Sequence, residues 1–333
     1  MALVTAQALL TFACTIIFSV YIFTPIPRPP VPEESTYTHP ISNTKQLHPS
    51  LFDDSNGDIH VSLVVPAYNE KDRIGIMLDE ALTYFKGRVK KDREFKYEIV
   101  VVDDGSNDDT TAVCNEWAKT NKCGELRVLT FVKNRGKGGA VTQGMLTARG
   151  EWILFADADG AAKFADLDKL EAATEAILKD GLGVGVGSRA HMVNAEAVVK
   201  RSAIRNFLMY SFHTVLFILG ISSIKDTQCG FKLFSRNAAQ IVIPNMHVEG
   251  FIFDIEMLLL AEWNGIPMVE VPISWHEVAG TKMNLVWDSA RMARDLLLIR
   301  ANYLFGLWSV GRFVHEKSKG ESKQAGSADR KKK

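Results

Sequence analysis

The sequence predicts an α/β protein in which a mostly parallel β-sheet is flanked by helices. Three continuous apolar runs, at residues 61–66, 98–102 and 151–156, each end in polar and turn residues. Runs of this kind are typical of parallel strands that are covered on both faces. Helical segments separate these runs from one another and from two further strand segments, and such alternation favours a parallel sheet.

The predicted elements alternate between residues 61 and 187. Strands are predicted at 61–66, 98–102, 126–131, 151–156 and 183–187, and helices at 70–86, 107–119, 137–148 and 166–179. Asn107, Asp108 and Asp109 begin the second helix and are expected to cap it, because short polar side chains accept hydrogen bonds from a first helical turn. The glycine-rich run 181–187 lacks the spacing of a dinucleotide fingerprint, so we interpret it as a strand that another backbone approaches closely.

The composition limits the kinds of partner. The 333 residues allow one large α/β domain with appendages. Lys and Arg together number 39, as do Asp and Glu, so the chain has no overall basic field and we expect no nucleic acid partner. The cysteines have the spacing of neither a disulfide framework nor a zinc site, and free thiols are the expected state of Cys14, Cys114, Cys123 and Cys229.

The N-terminal segment predicts a membrane anchor. Residues 2–23 are almost wholly apolar, and the first Lys or Arg is Arg28. A stretch of this length can span a bilayer as a helix, whereas a cleaved signal peptide would begin with a basic region. We therefore predict a retained transmembrane anchor at 1–24 and, from its Pro, Ser, Thr and Asn content, a linker at 25–58. The main domain is expected at 59–284, with its binding site complete within it.

Two later segments are apolar enough that each could contact a membrane. Residues 206–224 contain no Asp, Glu, Lys or Arg and are predicted to be either a helix at the membrane interface or a buried core helix. Residues 285–315 are predicted to form an amphipathic helix, which would lie either at the membrane interface or on the sheet. The basic tail at 316–333 is predicted to be disordered.

Two carboxylates follow one of the predicted strands. Asp157 and Asp159 come directly after the run 151–156, and positions two apart on an extended strand point the same way. Hard oxygen ligands of this kind suit Mg²⁺ or Mn²⁺, held together with substrate phosphates. A surface turn is the alternative, because Asp-Gly is a strong turn signal.

Polar residues also follow the first two strands. Pro66, Tyr68, Glu70, Asp103 and Asp104 lie at these strand ends. Ligands in open α/β sheets bind outside the carboxyl ends of the strands. Any one of these residues could be a turn residue or a helix cap, but together they predict a ligand site at this edge of the sheet.

Three motifs occur in the order and spacing of a known family. They are Pro-Ala-Tyr-Asn-Glu at 66–70, Asp-Asp-Gly-Ser at 103–106 and Asp-Ala-Asp-Gly at 157–160. With these motifs the chain resembles the inverting nucleotide-sugar glycosyltransferases of family 2, which have the GT-A fold. The similarity continues through the segments 133–139, 187–189, 227–232 and 253–256. The last three of these, with the N-terminal apolar segment, resemble enzymes that use a polyprenyl-phosphate acceptor.

The resemblance implies a reaction and a location. Glucose would move from UDP-glucose to dolichyl phosphate with inversion, giving dolichyl β-D-glucosyl phosphate for protein N-glycosylation. A Mg²⁺ or Mn²⁺ ion would stabilise the charge of the diphosphate leaving group. The protein would cross the endoplasmic reticulum membrane once, with the GT-A catalytic domain at 59–284 facing the cytosol, where the donor is.

The resemblance also implies roles for particular residues. Asp159 is the expected metal ligand together with Asp157, and Asp104 is expected to accept a hydrogen bond from the uracil ring. The donor is expected to contact Pro66, Ala67, Tyr68, Glu70, Asp103, Asp104, Lys137 and Asp157. The residues expected to take part in the transfer itself are Asp157, Asp159, Asp254 and Arg189.

Basic residues are expected to hold the acceptor phosphate, because the guanidinium group of arginine matches phosphate oxygens. These residues are Arg189, Arg201, Arg205 and Lys282. Arg201 and Arg205 are four apart, which places them on one face of a helix. The alternative for the three arginines is solvation or pairing with Asp and Glu.

The sequence leaves open two alternative functions and the role of Asp254. The enzyme could instead transfer mannose from GDP-mannose to dolichyl phosphate, or the protein could be a membrane-tethered nucleotide-sugar binder without catalysis. Asp254 occupies the position of the catalytic base in many relatives, but a phosphate acceptor is already anionic and needs no base. Asp254 could therefore orient the acceptor, bind a sugar hydroxyl or polarise another group, or it could simply cap the helix that follows it.

Overall fold

The computed structural model of the chain describes residues 14–15, 18, 20–53, 58–191, 224–276 and 285–311. Several predictions fall outside these residues. They concern most of the anchor at 1–24, almost all of the segment 206–224, the tail at 316–333, and the acceptor residues Arg201, Arg205 and Lys282.

A seven-stranded sheet forms the centre of the described part of the chain. The strands are β1 (Thr36–Thr38), β2 (Lys45–Leu47), β3 (Val61–Ala67), β4 (Tyr97–Asp103), β5 (Leu126–Thr130), β6 (Trp152–Ala156), β7 (Val184–Ser188), β8 (Phe231–Ser235) and β9 (Met268–Pro272). The order in the large sheet is β5-β4-β3-β6-β8-β7-β9, and β1 and β2 form a separate antiparallel pair. All neighbours in the large sheet are parallel except at β8, which runs antiparallel to both β6 and β7.

Helices cover both faces of the sheet. They are α1 (Ile74–Lys91), α2 (Thr110–Asn121), α3 (Lys137–Leu146), α4 (Leu167–Ala176), α5 (Arg236–Val242), α6 (Phe253–Trp263) and α7 (Leu285–Leu304). Side chains of α1, α2 and α4 form one core cluster with Leu63 and Val65 of β3. Side chains of α3, α5, α6 and α7 form the other cluster with Val64, because successive strand residues point to opposite faces.

The predicted α/β class and mostly parallel sheet are confirmed, and each strand and helix predicted between residues 61 and 187 is present within about five residues of its expected bounds. β8 and β9 were not predicted. The pattern of β8 is interrupted by Lys232, and that of β9 by Glu270, so neither is a continuous apolar run. The expected cap of α2 is only partly confirmed. Asp108 accepts the Thr110 N–H at 3.0 Å, whereas Asp109 at the N-cap position makes no side-chain cap bond.

The predicted linker is folded against the domain where the structure describes it. Leu51 is fully buried, and its N–H donates to Leu146 O of α3 at 2.7 Å. The Arg236 guanidinium donates to Leu51 O at 2.8 Å from the other side. The segment therefore contributes to the core, although its composition is that of a connecting segment.

The predicted amphipathic helix is present as α7 and has one buried side. Leu296 and Ile299 are buried in the core, whereas Leu297 and Leu304 are exposed. The helix thus packs on the domain and still presents apolar side chains outward. Within the described residues, no helix has both the length and the apolar character needed to cross a membrane.

Candidate active site

The candidate site lies where the order of the sheet reverses. From β3 the chain continues through β4 to β5 on one side, whereas β6 lies on the other side of β3. The ladder between β3 and β6 ends at the Val64–Phe155 pair. Pro66 lies beyond that pair and has no N–H with which to extend it. A crevice outside the carboxyl ends of the strands at such a switch point is where open α/β sheets bind ligands.

The turns that follow β3 and β4 are joined by hydrogen bonds. Asn69, whose φ is 54°, donates its N–H to Ser106 Oγ at 2.9 Å and accepts the Asn107 N–H at 2.8 Å. The Glu70 N–H donates to Thr110 Oγ1 at 2.9 Å. The structure therefore brings the first two motifs together, as the sequence predicted.

The residues at these strand ends that were predicted to bind the nucleotide-sugar donor differ in their contacts within the protein. Tyr68 is 38% exposed at the rim of the crevice. The Glu70 carboxylate binds the Arg73 guanidinium through two bonds of 2.7 and 2.8 Å. Asp103 accepts the Ser106 N–H at 2.9 Å and the Thr111 hydroxyl. Glu70 and Asp103 thus hold their own turns, whereas the Tyr68 side chain is partly open to solvent.

Asp104 holds the loop that leads into α3. It is 3% exposed, and its two oxygens accept the N–H groups of Arg135 at 2.6 Å and Gly136 at 2.9 Å, and the Asn134 side-chain amide at 2.9 Å. Burial raises the pKa of Asp104 to about 6, although the bonds from Arg135 and Gly136 oppose this shift. Gly105 beside it has φ 69°, and a Cβ there would lie 2.8 Å from the Asn134 backbone nitrogen. The contact of Asp104 with uracil stays a prediction, and the observed contacts give this side chain a role in the loop.

Lys137 contacts the first of the two carboxylates that follow β6. It is the first residue of α3, and its Nζ lies 2.7 Å from Asp157 Oδ1. Burial would lower the pKa of Lys137, but the charges of Asp157, Asp254 and Asp159 hold it above its ordinary value. Asp159 Oδ1 accepts the Ala161 N–H at 3.0 Å. The Lys137 ammonium therefore lies close to several carboxylates at the carboxyl ends of the strands.

The residues at this edge fit a divalent cation that binds together with a diphosphate. In the parts of the chain that the structure describes, no group of three or more His, Cys, Asp and Glu side chains is placed to hold a metal ion. Asp157 and Asp159 offer carboxylate oxygens from one short stretch of chain. Mg²⁺ and Mn²⁺ suit such oxygens, and Mg²⁺ commonly binds one or two carboxylates and takes its remaining ligands from water and substrate phosphates.

A buried ion pair that the sequence analysis missed lies next to Asp157. Lys232 of β8 is fully buried, and its ammonium donates to Asp254 Oδ1 at 2.5 Å and to Cys229 O at 2.6 Å. At the next residue, Gly230, an added Cβ would lie 2.1 Å from Asp157 Oδ2. The Asp157 N–H also donates to Gly230 O at 3.0 Å. Lys232 therefore holds the turn against which Asp157 packs. A lysine between aromatic and aliphatic residues signals a buried charge, and such a charge needs a partner.

The structure does not support the alternative in which Asp254 caps a helix. α6 begins at Phe253 with Ile252 in the N-cap position, so Asp254 is the second residue of the helix. Its carboxylate is buried against Lys232. Burial keeps the pKa of Asp254 above its ordinary value, although the charges of Lys232 and Lys137 act in the opposite direction. A part for Asp254 in the transfer itself stays a prediction.

Arg189 lies at the end of β7 and pairs with an acidic residue, as the alternative interpretation expected. Its Nε and Nη2 donate to the two oxygens of Asp226 at 2.7 and 2.8 Å. The guanidinium also lies over the Trp275 ring, 5.5 Å from the ring centroid. The hydrogen bonds to Asp226 hold the pKa of Arg189 above its ordinary value, and the charge of Asp157 adds a smaller effect in the same direction. Since a guanidinium has five N–H donors, the pairing leaves some of them for another anion.

Comparisons with known proteins agree with the fold class. The family model described as glycosyl transferase family 2 matches residues 62–241. Among solved structures, glucosyl-3-phosphoglycerate synthase from Mycobacterium tuberculosis, in complex with Mn²⁺, UDP-glucose and phosphoglyceric acid, superimposes with a TM-score of 0.50. It is 18% identical, and the match covers 72% of this chain and 79% of that one. The likeness shows a GT-A fold with its mostly parallel sheet.

Curated relatives match over most of the chain. Dolichyl-phosphate beta-glucosyltransferase of Saccharomyces cerevisiae is 49% identical, over 87% of this chain and 90% of that protein. The protein of the same name from Homo sapiens is 41% identical, over 91% of this chain and 94% of that one. This chain therefore belongs to glycosyl transferase family 2 and, within it, to the dolichyl-phosphate beta-glucosyltransferases.

Proposed function

We propose that this protein transfers glucose from UDP-glucose to the phosphate of dolichyl phosphate, with inversion at the anomeric carbon. The observation that carries the proposal is the Lys137–Asp157 pair, 2.7 Å apart and beside Asp159, at the switch point of the sheet. The relatives that match 84% or more of the chain at 41–49% identity are named for this sugar and this acceptor.

The donor would lie across the carboxyl ends of β3, β4 and β6. Its nucleoside would contact the turns after β3 and β4, where Tyr68 is exposed. Its diphosphate would then extend toward Lys137, because this ammonium lies at the N-terminus of α3, where the helix dipole also favours negative charge. Asp103 and Asp104 support this binding through the turns that they hold.

The carboxylates would act through a divalent cation. A bound Mg²⁺ or Mn²⁺ ion, held by Asp159 with Asp157, would supply Lewis-acid stabilisation of the leaving diphosphate. Asp157 contacts Lys137 as well, so its carboxylate would lie between Lys137 and a bound cation. That placement keeps Lys137 protonated and directed at the position where charge develops on the leaving group.

The acceptor needs orientation more than deprotonation. A phosphate monoester is already anionic near neutral pH, so no general base has to remove a proton from it. The Arg189 guanidinium, held by Asp226, has N–H donors left for that phosphate. Arg201, Arg205 and Lys282 are proposed as further contacts on the sequence alone. Because Asp254 is buried against Lys232, we assign it a supporting role rather than that of a base.

The location is also proposed. Residues 2–23 are apolar enough to anchor the chain, and we place the anchor in the endoplasmic reticulum membrane, crossed once, with the catalytic domain on the cytosolic side. Thr24 Oγ1 donates to Asn302 Oδ1 of α7 at 2.6 Å, so the end of this segment lies beside the end of α7. The exposed side chains near this contact are apolar, and they include Tyr21, Ile22, Phe23, Leu304 and Phe305. These residues would face the lipid.

A donor panel tests the proposal. The purified full-length protein is incubated with dolichyl phosphate, Mg²⁺ or Mn²⁺, and one of UDP-glucose, UDP-N-acetylglucosamine or GDP-mannose. We expect a glycolipid from UDP-glucose alone, with a β-anomeric proton coupling in its NMR spectrum. Transfer from GDP-mannose would favour the mannosyltransferase alternative. Binding of UDP-glucose without any glycolipid would favour the non-catalytic binder.

A further inference from the structure

The segment that follows the predicted anchor is folded onto the loop that carries Lys137. Glu34 ends up 3% exposed, although it lies in a stretch rich in proline and polar residues. Its Oε1 accepts the Val132 N–H at 3.0 Å, just before the loop of residues 133–136. Its Oε2 accepts the Val31 N–H at 3.3 Å. A buried carboxylate thus joins the N-terminal segment to the start of this loop.

Arg28 completes the same contact. Its Nη2 donates to Glu34 Oε1 at 2.6 Å and lies 3.4 Å from Lys133 O. The Arg28 carbonyl oxygen in turn accepts a bond from the Arg135 guanidinium. Arg135 also donates from Nε to Glu249 Oε1 at 2.8 Å, in the turn before α6. The loop is therefore bound at its outer side by residues that lie outside the predicted catalytic domain.

The inner side of the loop is bound by Asp104, which accepts the Arg135 and Gly136 N–H groups. Gly136 has φ 95°, and an added Cβ would lie 2.5 Å from Glu249 O, so the loop has little room to move on that side. Lys137 follows directly. With both sides fixed, the ammonium is presented to Asp157 at 2.7 Å.

We propose that Arg28 and Glu34 are positioning residues for the donor: by holding the 133–136 loop from outside, they place Lys137 where it meets the diphosphate of a nucleoside diphosphate sugar. The inference rests on the proposed function of this site. It also changes the expected extent of the site, because the segment 59–284 alone would lack the outer support of the loop. The membrane-proximal segment then has a part in donor binding in addition to connecting the anchor.

The test compares Arg28→Ala, Glu34→Gln and Arg28→Lys in the full-length protein. Three quantities are measured: the Kd for UDP by calorimetry, and the KM values for UDP-glucose and for dolichyl phosphate. Loss of one charge-assisted hydrogen bond network at the loop should weaken UDP binding and raise the donor KM by about tenfold in Arg28→Ala and Glu34→Gln. The acceptor KM should not change, and Arg28→Lys, which keeps a positive charge near Glu34, should recover part of the loss.

Arg88→Ala serves as the matched control. Arg88 also joins separate elements by ion pairs, to Asp168 at 3.1 Å and Glu171 at 2.9 Å, but it lies in the last turn of α1, away from the loop. The Arg88→Ala substitution should lower the melting temperature without changing the Kd for UDP or the KM for UDP-glucose. If Arg28→Ala and Glu34→Gln bind UDP as the wild type does, or change both KM values equally, the inference is overturned. If the wild type binds UDP but transfers no sugar, the proposed function fails instead.

Discussion

Lys232 carries a positive charge that no solvent reaches, and its two bonds connect Asp254 with the turn beside Asp157. A charge in this position is stable only while it is paired, since a buried ion without its partner costs several kcal/mol. The pair is 22 residues apart in sequence. For this reason the sequence could show that Lys232 and Asp254 are unusual but could not show that they meet.

Lys232→Met tests the supporting role of this pair. It leaves Asp254 buried without a partner, so the free energy of unfolding should fall by about 3 kcal/mol or more. Turnover should fall too, because the Cys229–Gly230 turn loses its bond and Asp157 loses its fixed neighbour. Thermal unfolding and the rate of glucose transfer from UDP-glucose measure the two effects.

The double variant Lys232→Met/Asp254→Leu separates stability from function. Replacing both charges with apolar side chains should recover much of the unfolding free energy, since neither charge is left unpaired. Turnover should remain low, because the bond to Cys229 O is still missing. Recovery of full turnover would mean that the pair acts only on stability and does not place Asp157.

At the scale of the elements, the apolar strands were predictable because β3, β4 and β6 are continuous runs, and the helices between them follow from the same alternation. The position of β8 between β6 and β7 was not predictable. It is antiparallel and short, and Lys232 breaks its apolar pattern, so only the tertiary contact with Asp254 explains a lysine there. The same limit applies to Asp104, whose partners in the 134–136 loop come from a distant part of the chain.

At the end of the sheet opposite the site, a buried carboxylate of β4 connects neighbouring strands and the end of a helix. Glu98 is fully buried and contacts the guanidinium groups of Arg127 in β5 and of Arg149, which follows α3. Ser62 of β3 also donates to it, at 2.6 Å. Burial would raise the pKa of Glu98, but the two arginines and Ser62 lower it to about 2. One side chain therefore connects three strands and the end of a helix.

Glu98→Gln should lower the free energy of unfolding at pH 7 by about 3 kcal/mol, because the buried Arg127 and the partly exposed Arg149 lose their counter-charge. Since the pKa of Glu98 is depressed in the folded state, its contribution is complete above the ordinary value of 4.5 and is lost as the pH falls toward about 2. Denaturant unfolding of both proteins from pH 7 to pH 2 measures the difference. The gap between wild type and variant should narrow in acid. A gap that is constant over this range would contradict the assignment.

At the scale of the whole molecule, the described parts of the chain form a sheet with its site at one edge, to which the N-terminal segment is joined by Glu34, Leu51 and Thr24. The sequence predicted which edge of the sheet carries the site, because three motifs lie at the carboxyl ends of parallel strands, and these ends meet at one edge. It did not predict the attachment of residues 28–51, because a segment rich in proline and polar residues gives no periodic apolar signal. Residues 28–34, which follow the proposed anchor, thus also contact the loop before Lys137.

We propose that Asp157 and Asp159 hold a divalent cation on which glucose transfer depends. The most direct measurement is the rate of transfer from UDP-glucose to dolichyl phosphate by wild type and Asp159→Asn, across a titration of Mn²⁺ and in excess chelator, with circular dichroism as a control for folding. We predict that the wild type is inactive in chelator and that Asp159→Asn is folded but slower by about a thousandfold, since the ion is worth several kcal/mol to the leaving diphosphate. An undiminished wild-type rate in chelator, or full activity of the variant, would show that glucose transfer does not depend on a cation held by Asp159.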